Sequence, residues 1–106
     1  MSLFLDYQKK IFNCLKNLEK KKLIQIPSQL NLTVELPPKN QRADISCNVA
    51  MILAKINNNS SVKLAEILKE YLLFNFKEFK SIEIAGPGFL NICFHISFWN
   101  EYLTKI

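Results

Sequence analysis

Residues 81–94 read SIEIAGPGFLNICF. Ile82 and Ile84 alternate with Ser81 and Glu83, and further on Leu90, Ile92 and Phe94 alternate with Phe89, Asn91 and Cys93. A period of two is the signature of a half-buried strand. Between the two runs lie Gly86, Pro87 and Gly88, and the chain has 2 glycines in all. Two strands joined by so short a turn predict an antiparallel hairpin. Pro87, whose ring holds φ near about −65°, suits the second position of a type II turn. Gly88 then takes the positive φ of the third position, and Gly86 leaves the approach free of a side chain.

If Leu90, Ile92 and Phe94 face a core, alternation turns Phe89 and Asn91 to the opposite face, about 6.5–7 Å apart. An aromatic plane beside an amide is what reading one unstacked base requires. The ring stacks on the base and the amide bonds its edge. The same residues also suit a plainer arrangement, with Phe89 packed over the turn and Asn91 satisfying backbone groups.

Outward from the hairpin, Phe4, Tyr7, Ile11, Cys14, Leu15 and Leu18 recur at steps of three and four, which predicts an amphipathic helix from Phe4 to about Lys22. The segment 23–31 holds a connector at Pro27-Ser28. Leu32, Val34 and Leu36 alternate with Thr33 and Glu35, a strand that Pro37-Pro38 stops. After the polar residues 39–42, Asp44 is placed to cap a helix with the stripe Ile45, Val49, Ile52, Leu53 and Ile56. Asn48 lies one turn beyond Asp44 and would tie that helix to the sheet. The run 57–60 ends it, and Ser60 or Ser61 caps the next, whose face is Leu64, Ala65, Leu68, Tyr71 and Leu72. Residues 97–105 start a last helix, anchored by Phe98 and Trp99. The order α-β-α-α-β-β-α predicts an α+β domain, a small, mainly antiparallel sheet with about four helices on one face.

At 106 residues the chain is read as one domain, 1–106. No apolar run reaches the ~18–20 residues that span a bilayer, and the N-terminus lacks a signal-peptide pattern, so the expectation is a cytoplasmic protein with no membrane partner. The net charge of +5 comes almost entirely from lysine, Arg42 being the lone arginine. That suits a polyanion, and equally a solvated basic surface. The 3 cysteines, Cys14, Cys47 and Cys93, have no metal-ligand spacing and read as free thiols. His95 would share the face of Phe89 and Asn91 if the strand ran that far. No catalytic triad, phosphate-cradling glycine loop or dinucleotide fingerprint is present, so neither catalysis nor a cofactor is expected of these residues.

VELPP (34–38), ADISCNVAMILAK (43–55), LAEILKEYL (64–72), SIEIAGPGFLNICF (81–94) and Phe98-Trp99 together resemble the N-terminal domain of arginyl-tRNA synthetases. The resemblance runs from about Thr33 to Tyr102. Asp44, Asn48, Gly86, Pro87, Gly88, Phe89 and Asn91 match the family pattern. Ala43 stands where the family has glycine, Arg42 where it has histidine and Cys47 where it has threonine. The resemblance implies a domain that docks on the outer corner of an arginine-specific tRNA, not DNA, with Phe89 and Asn91 approaching a D-loop base beside the Gly86-Pro87-Gly88 turn. It further implies that ATP and arginine are handled by a catalytic domain of the same parent chain, whose HIGH- and KMSKS-like signatures do not occur here. The alternative is a stand-alone basic α+β protein-interaction domain.

Overall fold

The computed structural model describes residues 2–22, 24–27 and 30–104. The elements are α1 (Leu3–Lys20), β1 (Val34–Glu35), β2 (Ile45–Cys47), α2 (Val49–Ile56), α3 (Ser61–Asn75), β3 (Phe79–Ala85), β4 (Phe89–Phe94) and α4 (Ile96–Thr104). The strands form one antiparallel sheet in the order β1-β2-β4-β3. This is the expected α+β architecture, with one further short strand, β2, ahead of the second helix. Of the connector, Leu23, Ser28 and Gln29 lie outside the described residues, as does Lys105, the last residue of the expected 97–105 helix. Ile24 and Ile26 are buried, and Glu19 Oε2 accepts from the Ile26 amide at 3.0 Å.

The amphipathic stripes fold as their spacing requires. Tyr7, Ile11, Cys14, Leu15 and Leu18 of α1 are buried, as are Leu64, Ala65, Leu68 and Leu72 of α3. They meet the inner face of the sheet, where Ile45, Cys47, Ile82, Leu90 and Ile92 are all at most 1% exposed. Ser60 caps α3, its hydroxyl accepting from the Lys63 amide. Toward one end the core becomes aromatic. Phe94 stacks on Phe98 with centroids 4.1 Å apart, Trp99 meets it edge-on at 5.5 Å, and Tyr7 lies 5.0 Å away. Phe98 and Trp99 are thus the anchors of α4. The Tyr7 hydroxyl donates to Glu78 Oε2 at 2.7 Å, and burial, followed by that carboxylate, raises the phenol well above its ordinary value.

Asp44 does not cap a helix. Its amide donates to Ile92 O at 2.9 Å and its Oδ2 accepts from the Phe94 amide at 2.8 Å, so the chain here runs beside β4 as a strand. Ile45 and Cys47 are both buried and Ser46 lies on the other face, a period of two inside what the sequence offers as a helical stripe. The helix starts at Val49 with Asn48 in the N-cap position, but the Asn48 side chain makes no cap bond; its Oδ1 accepts from the Thr33 amide at 2.8 Å. Asn48 therefore ties α2 to the segment entering β1. Leu36 also departs from expectation. At 74% exposure it has left the sheet, because Pro37-Pro38 turns the chain away before the third inward position can pack.

The hairpin turn is shifted by one residue from the type II expectation. The Gly88 amide donates to Ala85 O at 3.3 Å, which makes Gly86 and Pro87 the central pair. Gly86 takes φ +55°, a positive value at the first central position, which suits the right-handed twist of a hairpin. Gly88 has φ +136°, and a Cβ there would lie 3.2 Å from Met51 Cγ and Ser61 Cβ and 3.3 Å from Ser61 O. Gly88 is thus the point where the turn presses against α2 and α3. A Gly88→Ala variant is expected to lose about 1–3 kcal/mol from strain and crowding together. Gly86→Ala, whose Cβ would make an ordinary 3.8 Å contact with Phe89, should lose about 1 kcal/mol. Thermal melts check the order: Gly88→Ala must melt lower than Gly86→Ala.

Candidate nucleic-acid interface

The outer face of the sheet is not bare. Ser46, Asn91 and Glu83 form a row across β2, β4 and β3, and Ala85 sits opposite Phe89. The segment between β1 and β2 folds back over this row. The Gln41 amide donates to Pro38 O at 3.0 Å, closing a turn, and Gln41 Oε1 accepts from Asn91 Nδ2. Arg42 O accepts from Cys93 Sγ at 3.5 Å. Between this loop and the hairpin turn remains a cleft of about 430 Å3, bordered by Leu36, Pro37 and Pro38 on one side and by Gly86, Pro87 and Phe89 on the other. That volume lies within the range of small-ligand clefts, roughly 300–1,000 Å3.

Phe89 and Asn91 share this face as alternation requires, but their surroundings differ. Phe89 is 38% exposed and borders the cleft, whereas Asn91 is 5% exposed beneath the loop. Asn91 Oδ1 is buried and has no hydrogen-bond partner among the described residues. An unpaired buried amide oxygen costs about 1–3 kcal/mol, so an apolar residue would hold the fold more cheaply here. Gly86 and Pro87 line the cleft, and Gly88 faces the helices instead. Asp44 and Asn48 do not reach it; both are struts, to β4 and to Thr33. His95 lies past the end of β4, exposed, with its amide bonded to Glu78 O, and so does not join the face of Phe89 and Asn91.

The charges are sorted. Glu35 is the charged residue among those lining the cleft, and no lysine or arginine lines it. Exposed cations stand around it: Lys39 and Arg42 on the covering loop, and Lys55 and Lys63 in a groove beyond Pro87. A phosphate would be repelled by Glu35 and drawn to the rim, while a neutral flat group suits the cleft itself. Neither Gln41 nor Ser46 stands out in the sequence. The one available signal is the proline pair, which forces the polar residues after it to turn back.

Residues 5–94 match the family model for the arginyl tRNA synthetase N terminal domain. The match extends through α1, further toward the N-terminus than the motifs alone suggest. Over its whole length the chain is 39% identical to an arginine–tRNA ligase of Pelagibacter ubique and 36% identical to one of Wolbachia pipientis, spanning 18% of each. An arginine–tRNA ligase of a Wolbachia from Brugia malayi is 42% identical over 76% of this chain, which covers 14% of that protein. The chain thus spans less than a fifth of the curated relatives it matches.

The positions that depart from the family pattern are accommodated without strain. Among the described residues the non-glycine positions with positive φ are Lys22 and Asn58, so Ala43 and Arg42 need no glycine geometry. Cys47 is fully buried in β2, and burial pushes its thiol up to about 12. The folded state therefore keeps this thiol neutral, while the unfolded chain ionises it near its ordinary 9.0. Stability from Cys47 is complete below that pH and is lost as the pH rises toward the folded value. Cys47→Ala should accordingly show a shallower loss of stability above pH ~9 than the unsubstituted protein. Denaturant unfolding at a series of alkaline pH values measures this, and equal slopes would remove Cys47 as a contributor.

Proposed function

The chain belongs to the family of arginyl tRNA synthetase N terminal domains, and from that premise we propose that it docks on the elbow of an arginine-specific tRNA and contacts the D-loop. Arginylation with ATP is assigned to a catalytic domain of the parent protein, and this domain positions the tRNA for it. Binding energy gained at the elbow is then used to hold the acceptor end in reacting geometry.

The observation that carries this reading is the half-exposed ring of Phe89 at the edge of a cleft with no lining cation, surrounded by exposed Lys39, Arg42, Lys55 and Lys63. Base stacking needs an accessible ring, and phosphate contact needs cations at the distance of the backbone. Phe89 supplies the plane, Asn91 the polar anchoring of the site, and Gly86-Pro87 the rim on which the base enters. Among the described residues no helix is long and apolar enough to cross a membrane. A stand-alone interaction domain would account for the basic charge, but not for a family match that covers most of the chain.

In the full-length protein, Phe89→Ala should weaken tRNA binding or charging roughly five- to a hundredfold, the equivalent of about 1–3 kcal/mol of stacking. Its melting temperature should change little, because the ring lies outside the core. Normal charging by this variant, or a collapsed melt, would return Phe89 to a packing role. The isolated domain should show no arginine-dependent pyrophosphate exchange, and its tRNA binding should fall steeply with salt. Binding that is unchanged between low and physiological salt would contradict the electrostatic contribution.

A further inference from the structure

We infer that the outward face of α1 is a second, sequence-independent surface, which takes the phosphate backbone of double-helical RNA on the side of the domain opposite the cleft. The charge of the protein is unevenly placed. Residues 3–22 hold Lys9, Lys10, Lys16, Lys20, Lys21 and Lys22 against Asp6 and Glu19, which is +4 of the protein's +5. The rest of the chain, cleft and surroundings included, nets +1. The helix macrodipole accounts for the lysines that end α1, but not for Lys9 three turns earlier. A solvated helix face ordinarily mixes signs, as α3 does with Lys63, Glu66, Lys69 and Glu70.

Lys9, Asn13, Lys16 and Lys20 recur at i, i+4, i+7 and i+11, on the side of the helix opposite the buried Ile11 and Leu18. They form one row about 16 Å long with no carboxylate in it. Lys9, Asn13 and Lys20 are exposed, and Lys16 is half-buried. On the flank, Glu19 accepts from Lys16 Nζ at 3.2 Å and, with its other oxygen, from the Ile26 amide. The ammonium of Lys16 also lies 5.4 Å from the centre of the Phe12 ring, so its head group is held in place. The buried stripe of α1 meets the inner face of the sheet, and the sheet therefore stands between this row and Phe89. An RNA segment seated in the cleft leaves the row free.

The row selects its partner by chemistry. Lysine is a point charge that reads no base, and a regular file of phosphates is what it neutralises. Binding a single strand calls for exposed aromatic planes, and the neighbouring ring, Phe12, is half-buried beside Lys16. Lying on a membrane calls for a free apolar face, and that of α1 is already buried in the core. Double-helical RNA presents phosphates and 2′-hydroxyls side by side, and the amide of Asn13 in mid-row bonds either.

The test uses the full-length protein and a labelled RNA duplex of about 16 base pairs, long enough to present successive grooves. Fluorescence anisotropy gives its affinity across a salt series. Lys9→Gln/Lys16→Gln/Lys20→Gln should weaken duplex binding roughly tenfold or more at low salt and lower the salt slope by roughly 2–3, about 0.9 per lost phosphate contact. Charging of tRNA should be unchanged, and one equivalent of the arginine-specific tRNA should not displace the duplex. Lys69→Gln/Lys77→Gln/Lys80→Gln removes the same charge elsewhere and should leave the slope nearly as it was. Melting temperatures accompany each variant. If the triple variant unfolds, Lys9→Gln/Lys20→Gln, which spares the Lys16–Glu19 pair, should still lower the slope by about 2. An unchanged slope in the α1 variants, an equal loss in the control, or displacement by tRNA would overturn the second surface. A fall in charging that parallels the loss of duplex binding would make the row part of the tRNA contact, and overturns it equally. Tighter binding of poly-glutamate, or of a DNA duplex of the same sequence, would overturn RNA as the partner.

Discussion

Strand β4 is hydrogen-bonded on both edges, to β2 and to β3, and the rest of the domain is organised by that double pairing. With both neighbours fixed, the strand has no freedom to slip. A one-residue shift would exchange Leu90, Ile92 and Phe94 for Phe89, Asn91 and Cys93 on the inner face and expose the core. The register is held at both ends. At the start, Gly86 and Gly88 adopt backbone angles that a side chain resists, and Gly88 abuts Met51 and Ser61. At the finish, Asp44 grips the strand through its own amide and its carboxylate. Core and cleft are therefore two faces of one constraint.

The parts of this arrangement legible in the sequence are those with a repeating period. The stripes of α1 and α3, the inward set of β4 and the outward position of Phe89 all follow from spacing. Elements shorter than their own period leave no such mark. Ile45 and Cys47 fit a strand, but Ile45, Val49 and Ile52 equally fit a helix, and the choice was made by an edge of β4 that needed a partner. Asp44 illustrates the same ambiguity. A carboxylate before an apolar run does seek a backbone N–H, and the one it found belongs to Phe94 across the sheet. The turn was ambiguous because two glycines flank the proline, and either can carry the positive φ.

The loop over the outer face left the weakest trace. It is fastened where Gln41 meets Asn91, two amides 50 positions apart in the chain, and no local pattern encodes such a meeting. It turns a flat sheet surface into a cleft and buries the amide that alternation had placed in the open. Alternation fixes which face a side chain takes. It says nothing of what later covers that face.

Rigidity is the remaining step from geometry to binding. Proline stiffens both walls of the cleft, Pro37 and Pro38 on the loop side and Pro87 on the hairpin side. The hairpin wall is further tied to α3, where Ser61 Oγ donates to Pro87 O. A site built this way changes little on accepting a ligand, so less of the contact energy is lost to ordering protein groups. In a cleft that offers one half-exposed ring, Phe89, preformed walls keep that ring available for stacking. The exposed cations Lys39, Arg42, Lys55 and Lys63 lie outside those walls. Cationic charge is thus kept to the surroundings, while the stiff cleft itself carries one charged side chain, Glu35.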